Sequence, residues 1–273
     1  MSAARENLRT ARRIVVKVGT STLAHAKTGK LNLYRIEQLI RELADLHNAG
    51  REIIFVTSGA IAMGMDKLGI KKKPETIPEN QALAAIGQGV LMHIYEKFFS
   101  EYGQTTAQFL LTKENSIDEH ARENFHNAMS TVLNMGVIPV INENDAVTVD
   151  EIRIGDNDNL SAIVASLVDA EVLIILSDID GLFDGNPKID KTARLVDEVP
   201  EITSAVEKMA GGVGTKLGTG GMFTKIQAAK LATANGVTML IVNGATIGNL
   251  RRVLNGESIG TIFPAKKFLG GSA

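Results

Sequence analysis

Gly211–Lys225 reads GGVGTKLGTGGMFTK and runs on into Ile226–Ala234, IQAAKLATA. Six glycines in fifteen residues cannot be helix or strand interior, since each would lose about 1 kcal/mol of backbone freedom there. Apolar residues then recur at Ile226, Ala229 and Ala232 with helical spacing, so Gly218, Gly220 and Gly221 form a loop feeding a helix N-terminus. Unpaired N–H groups and the helix dipole both favour an anion at such a place, and phosphate is the natural guest. Lys225 falls in the first turn, where the dipole disfavours a cation. A lysine set against its local field points to a task, and neutralising a transferring phosphoryl group fits it. The competing reading is a surface loop with a chance lysine. The stretch has neither Walker A spacing nor a strand directly before it, so P-loop and Rossmann fingerprints are both excluded.

Composition narrows the class. A chain of 273 residues suits one large α/β domain or two small ones. With 29 basic and 31 acidic residues, nothing advertises a nucleic-acid or membrane surface. The absence of cysteine excludes disulfides, thiolate metal sites and cysteine nucleophiles together. No apolar run is long enough for a membrane span, and MSAARENLRTARR has no apolar signal region, so a soluble, cytoplasmic protein is expected. Tryptophan is absent and aromatics are 4%, which disfavours base-stacking nucleic-acid binders.

Short β-branched runs alternate with helical patterns along the chain. Strands are predicted at Arg12–Val18, Ile53–Val56, Thr105–Leu111, Val137–Ile141, Val172–Leu176, Thr238–Val242 and Thr261–Phe263. Helices are predicted at Leu33–Ala49 with Asn32 as N-cap, from Ile61 to Leu68, from about Glu79 to Tyr102, at Glu123–Met135, from Leu160 to Val168 and near Asn249–Leu254. Ala146–Ile154 alternates like a hairpin, Gly185–Pro200 reads as a mobile loop, and the tail from Lys266 has no pattern. Such alternation predicts a mainly parallel sheet covered on both faces. One domain with two lobes meeting near Asp156–Leu160 is the expected organisation.

In open α/β sheets ligands bind at the carboxyl ends of strands, and here these ends are polar. The first gives Lys17 and GTS, the second TSGA, the fourth NEND and the fifth SDID, with GDNDN just ahead of a helix. Asp156–Asn159 reads either as an N-cap cluster or as a functional one, and four Asx residues exceed what one cap needs. Ser177-Asp178 reads either as a β-turn or as part of a site. Lys17 interrupts a run that should be buried on both faces, so it needs an anionic partner. His25, His47, His93, His120 and His126 show no metal-ligand spacing, and neither a metal site nor a histidine-based triad is expected.

VVKVGTS at Val15–Ser21, VTSGAIAMG at Val56–Gly64, NENDAV at Asn142–Val147, GDNDNLSA at Gly155–Ala162 and GTGGMFTK at Gly218–Lys225 resemble, in order, the motifs of the glutamate 5-kinases in the amino acid kinase family. The resemblance spans Arg12 to Phe263. It implies an α/β fold, a three-layer αβα sandwich with a mainly parallel central sheet. A single domain over 1–273 is implied, with a glutamate lobe at about 10–160 and an ATP lobe at about 161–265. The C-terminal RNA-binding-type domain of many members is not expected.

The implied activity is ATP-dependent phosphorylation of the side-chain carboxylate of L-glutamate, the first step of proline synthesis. By motif, Lys17 and Lys225 would touch the phosphates in the transition state and Asp158 would hold the two lysines. Ser58, Gly59, Asn142, Asp145 and Asn157 would line the glutamate pocket. Lys17, Ser177, Asp178, Gly218, Thr219, Gly220, Gly221, Met222, Phe223, Thr224 and Lys225 would hold ATP. Mg²⁺ would ride mainly on the phosphates. A homo-oligomer, dimer or tetramer, and proline as feedback inhibitor are also implied. The alternatives are acetylglutamate, aspartate, carbamate and uridylate kinases of the same fold, or a non-catalytic amino-acid or nucleotide sensor.

Overall fold

The computed structural model describes residues 2–25, 27–112, 117–148, 156–187, 189–211 and 221–266. Among these residues seven strands are present: β1 Arg13–Val18, β2 Glu52–Val56, β3 Thr106–Leu111, β4 Ile138–Glu143, β5 Val172–Ser177, β6 Thr238–Asn243 and β7 Thr261–Phe263. They lie in the order β3-β4-β2-β1-β5-β6-β7. Phe55 stands opposite Val140, Thr106 opposite Ile138 and Val172 opposite Thr238 in parallel pairs, and β7 closes one edge antiparallel to β6. The strands are the predicted ones, shifted by a residue or two at their ends.

Along β4 and β5 every residue is buried, and β1 and β2 are buried past their first residue. Successive side chains on a strand face opposite ways, so unbroken burial means that both faces of the sheet are covered. Helices do the covering: α3 (Leu33–Asn48) packs on β2, α5 (Ile77–Glu101) on β3, α6 (Glu119–Asn134) on β4, and α9 (Met222–Ala234) and α10 (Asn249–Leu254) on β6. The edge strand β3 is only half-buried along most of its length.

Contacts divide the chain into two compact units, one of Met1–Lys17 with Asp158–Ala273 and one of Val18–Asn157. In the second unit, α4 (Ala60–Leu68) and α5 touch backbone to backbone. A Cβ added at Gly87 would lie 1.8 Å from the Ala60 carbonyl oxygen, and one at Gly64 would lie 2.1 Å from that of Leu83. Only glycine permits this crossing. Beneath it, the Phe55 ring meets Tyr95 edge-on at 5.1 Å and Phe99 at 6.4 Å.

Several local expectations need correction. Helix α6 starts four residues before Glu123, because the Asp118 side chain accepts from the Ala121 N–H and caps a polar first turn that apolar periodicity cannot reveal. Helix α7 (Asn157–Leu167) begins inside GDNDN, so Asn157, Asp158 and Asn159 are helical residues and not the cap before Leu160. The 185–200 segment is tethered rather than a free loop: Phe183 bridges Leu195, Glu198 bridges Ile262, and Val199 is buried. Of the expected hairpin at 146–154, only 146–148 is described, and the backbone there turns, with Val147 and Thr148 N–H groups donating to the Asn144 carbonyl. The tail after Lys266 lies outside the described residues. Among the described residues three helices were not predicted: α1 (Ala3–Asn7), α2 (Thr20–Leu23) and α8 (Ser204–Met209), each too short to display a period.

Candidate functional site

In the first unit the site begins where β1 ends. Lys17 is 6% exposed, and its ammonium donates to Asp158 Oδ1 at 2.6 Å. From the first turn of α9, Lys225 Nζ donates to Asp158 Oδ2 at 3.1 Å, and the Thr224 hydroxyl reaches the same oxygen at 2.7 Å. The Asp158 side chain has no solvent exposure. Burial pushes its pKa up, but the charges of Lys17 and Lys225, with hydrogen bonds from Lys17 and Thr224, outweigh burial and hold the carboxyl below its usual range. Between themselves the three ionised groups carry one net positive charge. Burying such a cluster is expensive. What it secures is two ammonium groups aimed from one fixed carboxylate.

The other described residues expected to hold ATP lie at the end of β5 and at the start of α9. Gly221 is the N-cap of α9 and supplies no side-chain cap, and Met222 and Phe223 open the helix beside Thr224. Ser177, buried at the end of β5, donates to Asp178 Oδ1 at 3.3 Å. Gly218, Thr219 and Gly220 lie outside the described residues.

The second unit holds a different arrangement. Asn142 Oδ1 accepts from the Glu143 N–H at 2.9 Å and from Asn157 Nδ2 at 2.8 Å. Asn142 Nδ2 therefore faces the other way and donates to Gln88 Oε1 at 2.8 Å. Asn157 also donates to the Thr57 carbonyl, and the Thr57 hydroxyl pairs with the Tyr95 hydroxyl at 2.6 Å. Burial pushes the Tyr95 phenol up to about 12, and its hydrogen bond with Thr57 offsets only part of that. Ser58 Oγ accepts from the Thr20 N–H at 3.2 Å. Gly59 sits at φ 100° against Thr20, where an added Cβ would come within 2.5 Å of the Thr20 hydroxyl.

A cavity of about 350 Å³ opens in this unit between α4, α5, β3 and the exit of β4. Ala60, Gln88, Gln108, Glu143, Asn144 and Asp145 are on its wall. Of the five residues expected to hold an amino acid, Asp145 lines this cavity, and Asn142 and Asn157 join behind Gln88. Ser58 and Gly59 are grouped with Thr20 instead. Gln88, Glu143, Thr57 and Tyr95 were missed by sequence reasoning. Gln88 had a readable signal: it is the polar member of the stripe Leu83, Ala84, Gly87, Gln88, Leu91 and Tyr95 that α5 buries.

The profile of the Amino acid kinase family matches residues 12–243. A glutamate 5-kinase from Thermoanaerobacter sp. strain X514 is 58% identical over 256 residues, covering 93% of this chain and 68% of that protein. One from Clostridium acetobutylicum is 53% identical over 266 residues, covering 97% of this chain and 99% of that protein. In fold, the chain is similar to UMP kinase from Ureaplasma parvum, with TM-score 0.62 at 14% identity over 93% of this chain and 99% of that one. It is also similar to an isopentenyl phosphate kinase, with TM-score 0.63 at 19% identity over 92% and 100%. The chain belongs to the amino acid kinase family, among its glutamate 5-kinases.

Proposed function

We propose that this chain transfers the γ-phosphoryl group of ATP to the side-chain carboxylate of L-glutamate, yielding glutamyl 5-phosphate and ADP at the head of proline synthesis in the cytoplasm. The observation that carries the reading is the buried set Lys17–Asp158–Lys225. A carboxylate oxygen is already a nucleophile at pH 7, so no general base is required. It attacks the γ-phosphorus, the new O–P bond forms, and the bond to the β–γ bridging oxygen breaks with its electrons leaving on ADP. The demand on the protein is then positioning and charge, which lysines on a rigid strand end and a helix first turn supply.

In this reading the unit of Met1–Lys17 and Asp158–Ala273 serves the nucleotide, through Ser177, Asp178, the first turn of α9 and the two lysines. The unit of Val18–Asn157 serves glutamate, with Asp145 answering its α-ammonium, because a carboxylate would repel either substrate carboxylate. Mg²⁺ would be carried mainly on the phosphates and water. When bound there, Mg²⁺ would neutralise charge developing on the phosphoryl oxygens.

The test is trapping of the acyl phosphate with hydroxylamine in the presence of ATP and Mg²⁺. Hydroxamate should form with L-glutamate and not with N-acetylglutamate, aspartate or UMP. Turnover of one of those three in place of L-glutamate would replace this reading with that kinase, and turnover of none would favour a sensor.

A further inference from the structure

We infer that Gln88 is a substrate-binding residue whose Nε2 donates to the α-carboxylate of the amino acid, and that this contact makes the site select a substrate that carries an α-carboxylate. The inference rests on the proposed glutamate kinase reading and deepens it.

The side-chain orientation of Gln88 follows from a backbone group. The Glu143 N–H can only donate, so the atom of Asn142 that faces it is Oδ1. Asn142 Nδ2 is left as a donor, and Gln88 must turn its Oε1 toward it. The Gln88 NH₂ then faces away from the relay. It is buried, in a residue only 8% exposed, and has no hydrogen-bond partner among the described residues. A buried amide donor without an acceptor is destabilising, and native folds rarely retain one without a use. Nor can Gln88 withdraw, because the neighbouring Gly87 lies backbone to backbone against Ala60.

The wall that Gln88 shares with Asp145 says which acceptor fits. An α-ammonium and an α-carboxylate are bonded to one carbon, so groups that read them must line one cavity. Glu143 and Asp145 attract the ammonium and repel the carboxylate, which therefore needs a donor of its own. Gln108 is on the same wall but exposed, so its amide keeps its water. Gln88 is the desolvated donor, where a charge-assisted hydrogen bond is strongest. The γ-carboxylate is the group that must reach phosphorus and is not the one held here.

Gln88→Glu keeps the volume and the oxygen that Asn142 needs, and changes only the free nitrogen. Gln88→Met keeps the volume and removes both polar atoms, and melting curves establish that each variant folds. With the hydroxamate assay, KM for L-glutamate should rise about tenfold to a hundredfold in both variants, with KM for ATP within about twofold. 4-Aminobutyrate retains the amine and the reacting carboxylate but lacks the α-carboxylate, so its inhibition constant should move less than about threefold. A KM for glutamate that stays within about twofold in the folded variants overturns the inference, as does equal weakening of 4-aminobutyrate. In either case wild-type turnover of L-glutamate leaves the kinase reading standing. Wild type that forms no glutamyl hydroxamate overturns both.

Discussion

In the unit that holds Lys17, Asp158 and Lys225, three ionised side chains meet at one buried point, whereas in the unit that holds Gln88, Asn142 and Asn157 the buried relay is built from neutral amides and hydroxyls. The difference follows from what each must do. Ions supply field, which a transferring phosphoryl group needs and which a low-dielectric setting strengthens. Amides supply direction, since each has a donor end and an acceptor end and a chain of them transmits orientation. An ionised cluster fails abruptly when one member is removed, because the others are left buried and unpaired. A neutral relay fails by smaller steps.

The largest effect expected is therefore at Asp158. Asp158→Ala and Lys17→Ala should each lower kcat on the order of a thousandfold, and the double variant should be little worse than either, because members of one unit give non-additive losses. Logarithmic losses that add fully in the cycle would mean that Asp158 works apart from Lys17. The pH dependence has a definite sign. The Asp158 pKa is lowered in the folded state, so its contribution to stability is present above the unfolded value, about 4. That contribution is lost as pH falls through the lower folded value. The melting-temperature gap between wild type and Asp158→Asn should be widest near pH 7 and narrow below about pH 4.

Lys225→Met comes next. It leaves the Lys17–Asp158 pair in place, so kcat should fall about a hundredfold while nucleotide binding, followed by calorimetry, changes little. A normal kcat would assign Lys225 to structure alone.

The two regions were not equally legible in the sequence. Lys17 stands out because an ammonium in the β-branched run IVVKV cannot be buried without an anionic partner. Charge inside an apolar strand is a loud signal. The strands and most helices were legible for a related reason, since unbroken apolar runs and a 3.6-residue period survive without knowledge of neighbours. Gln88 was quiet: glutamine is ordinary on a long helix, and only the stripe it shares with Leu83 and Leu91 marks it as inward-facing. Asp158 was readable as important but not as helical, because an Asx run before apolar residues looks like a cap until the backbone is seen to coil one turn earlier. The crossing of α4 and α5 rests on Gly64 and Gly87, whose meaning depends on a neighbour that no local pattern contains.

Asp145 carries the comparison into the second unit, as a charge that shares with Glu143 the wall on which the neutral relay ends. Asp145→Ala should raise KM for glutamate about tenfold or more and leave KM for ATP within about twofold. Parallel changes in both constants would remove it from the amino-acid side.

The smallest effect expected is at Tyr95, and it tests whether the neutral relay answers to pH at all. The Tyr95 hydroxyl pairs with Thr57, whose carbonyl anchors Asn157. Tyr95→Phe removes one buried neutral hydrogen bond, so stability near pH 7 should fall by only about 1 kcal/mol, with kcat nearly unchanged. The phenol is raised to about 12 by burial in the folded chain, against about 10 when unfolded. A raised pKa means that its contribution is fully present below pH 10 and is lost as pH rises from there toward 12. Wild type should thus lose its advantage over Tyr95→Phe only in that alkaline window, while the ionised cluster around Asp158 weakens only in acid. Equal pH slopes for wild type and Tyr95→Phe above pH 10 would show that the phenol ionises as readily folded as unfolded, and the contrast between the charged and the neutral region would then rest on Asp158 alone.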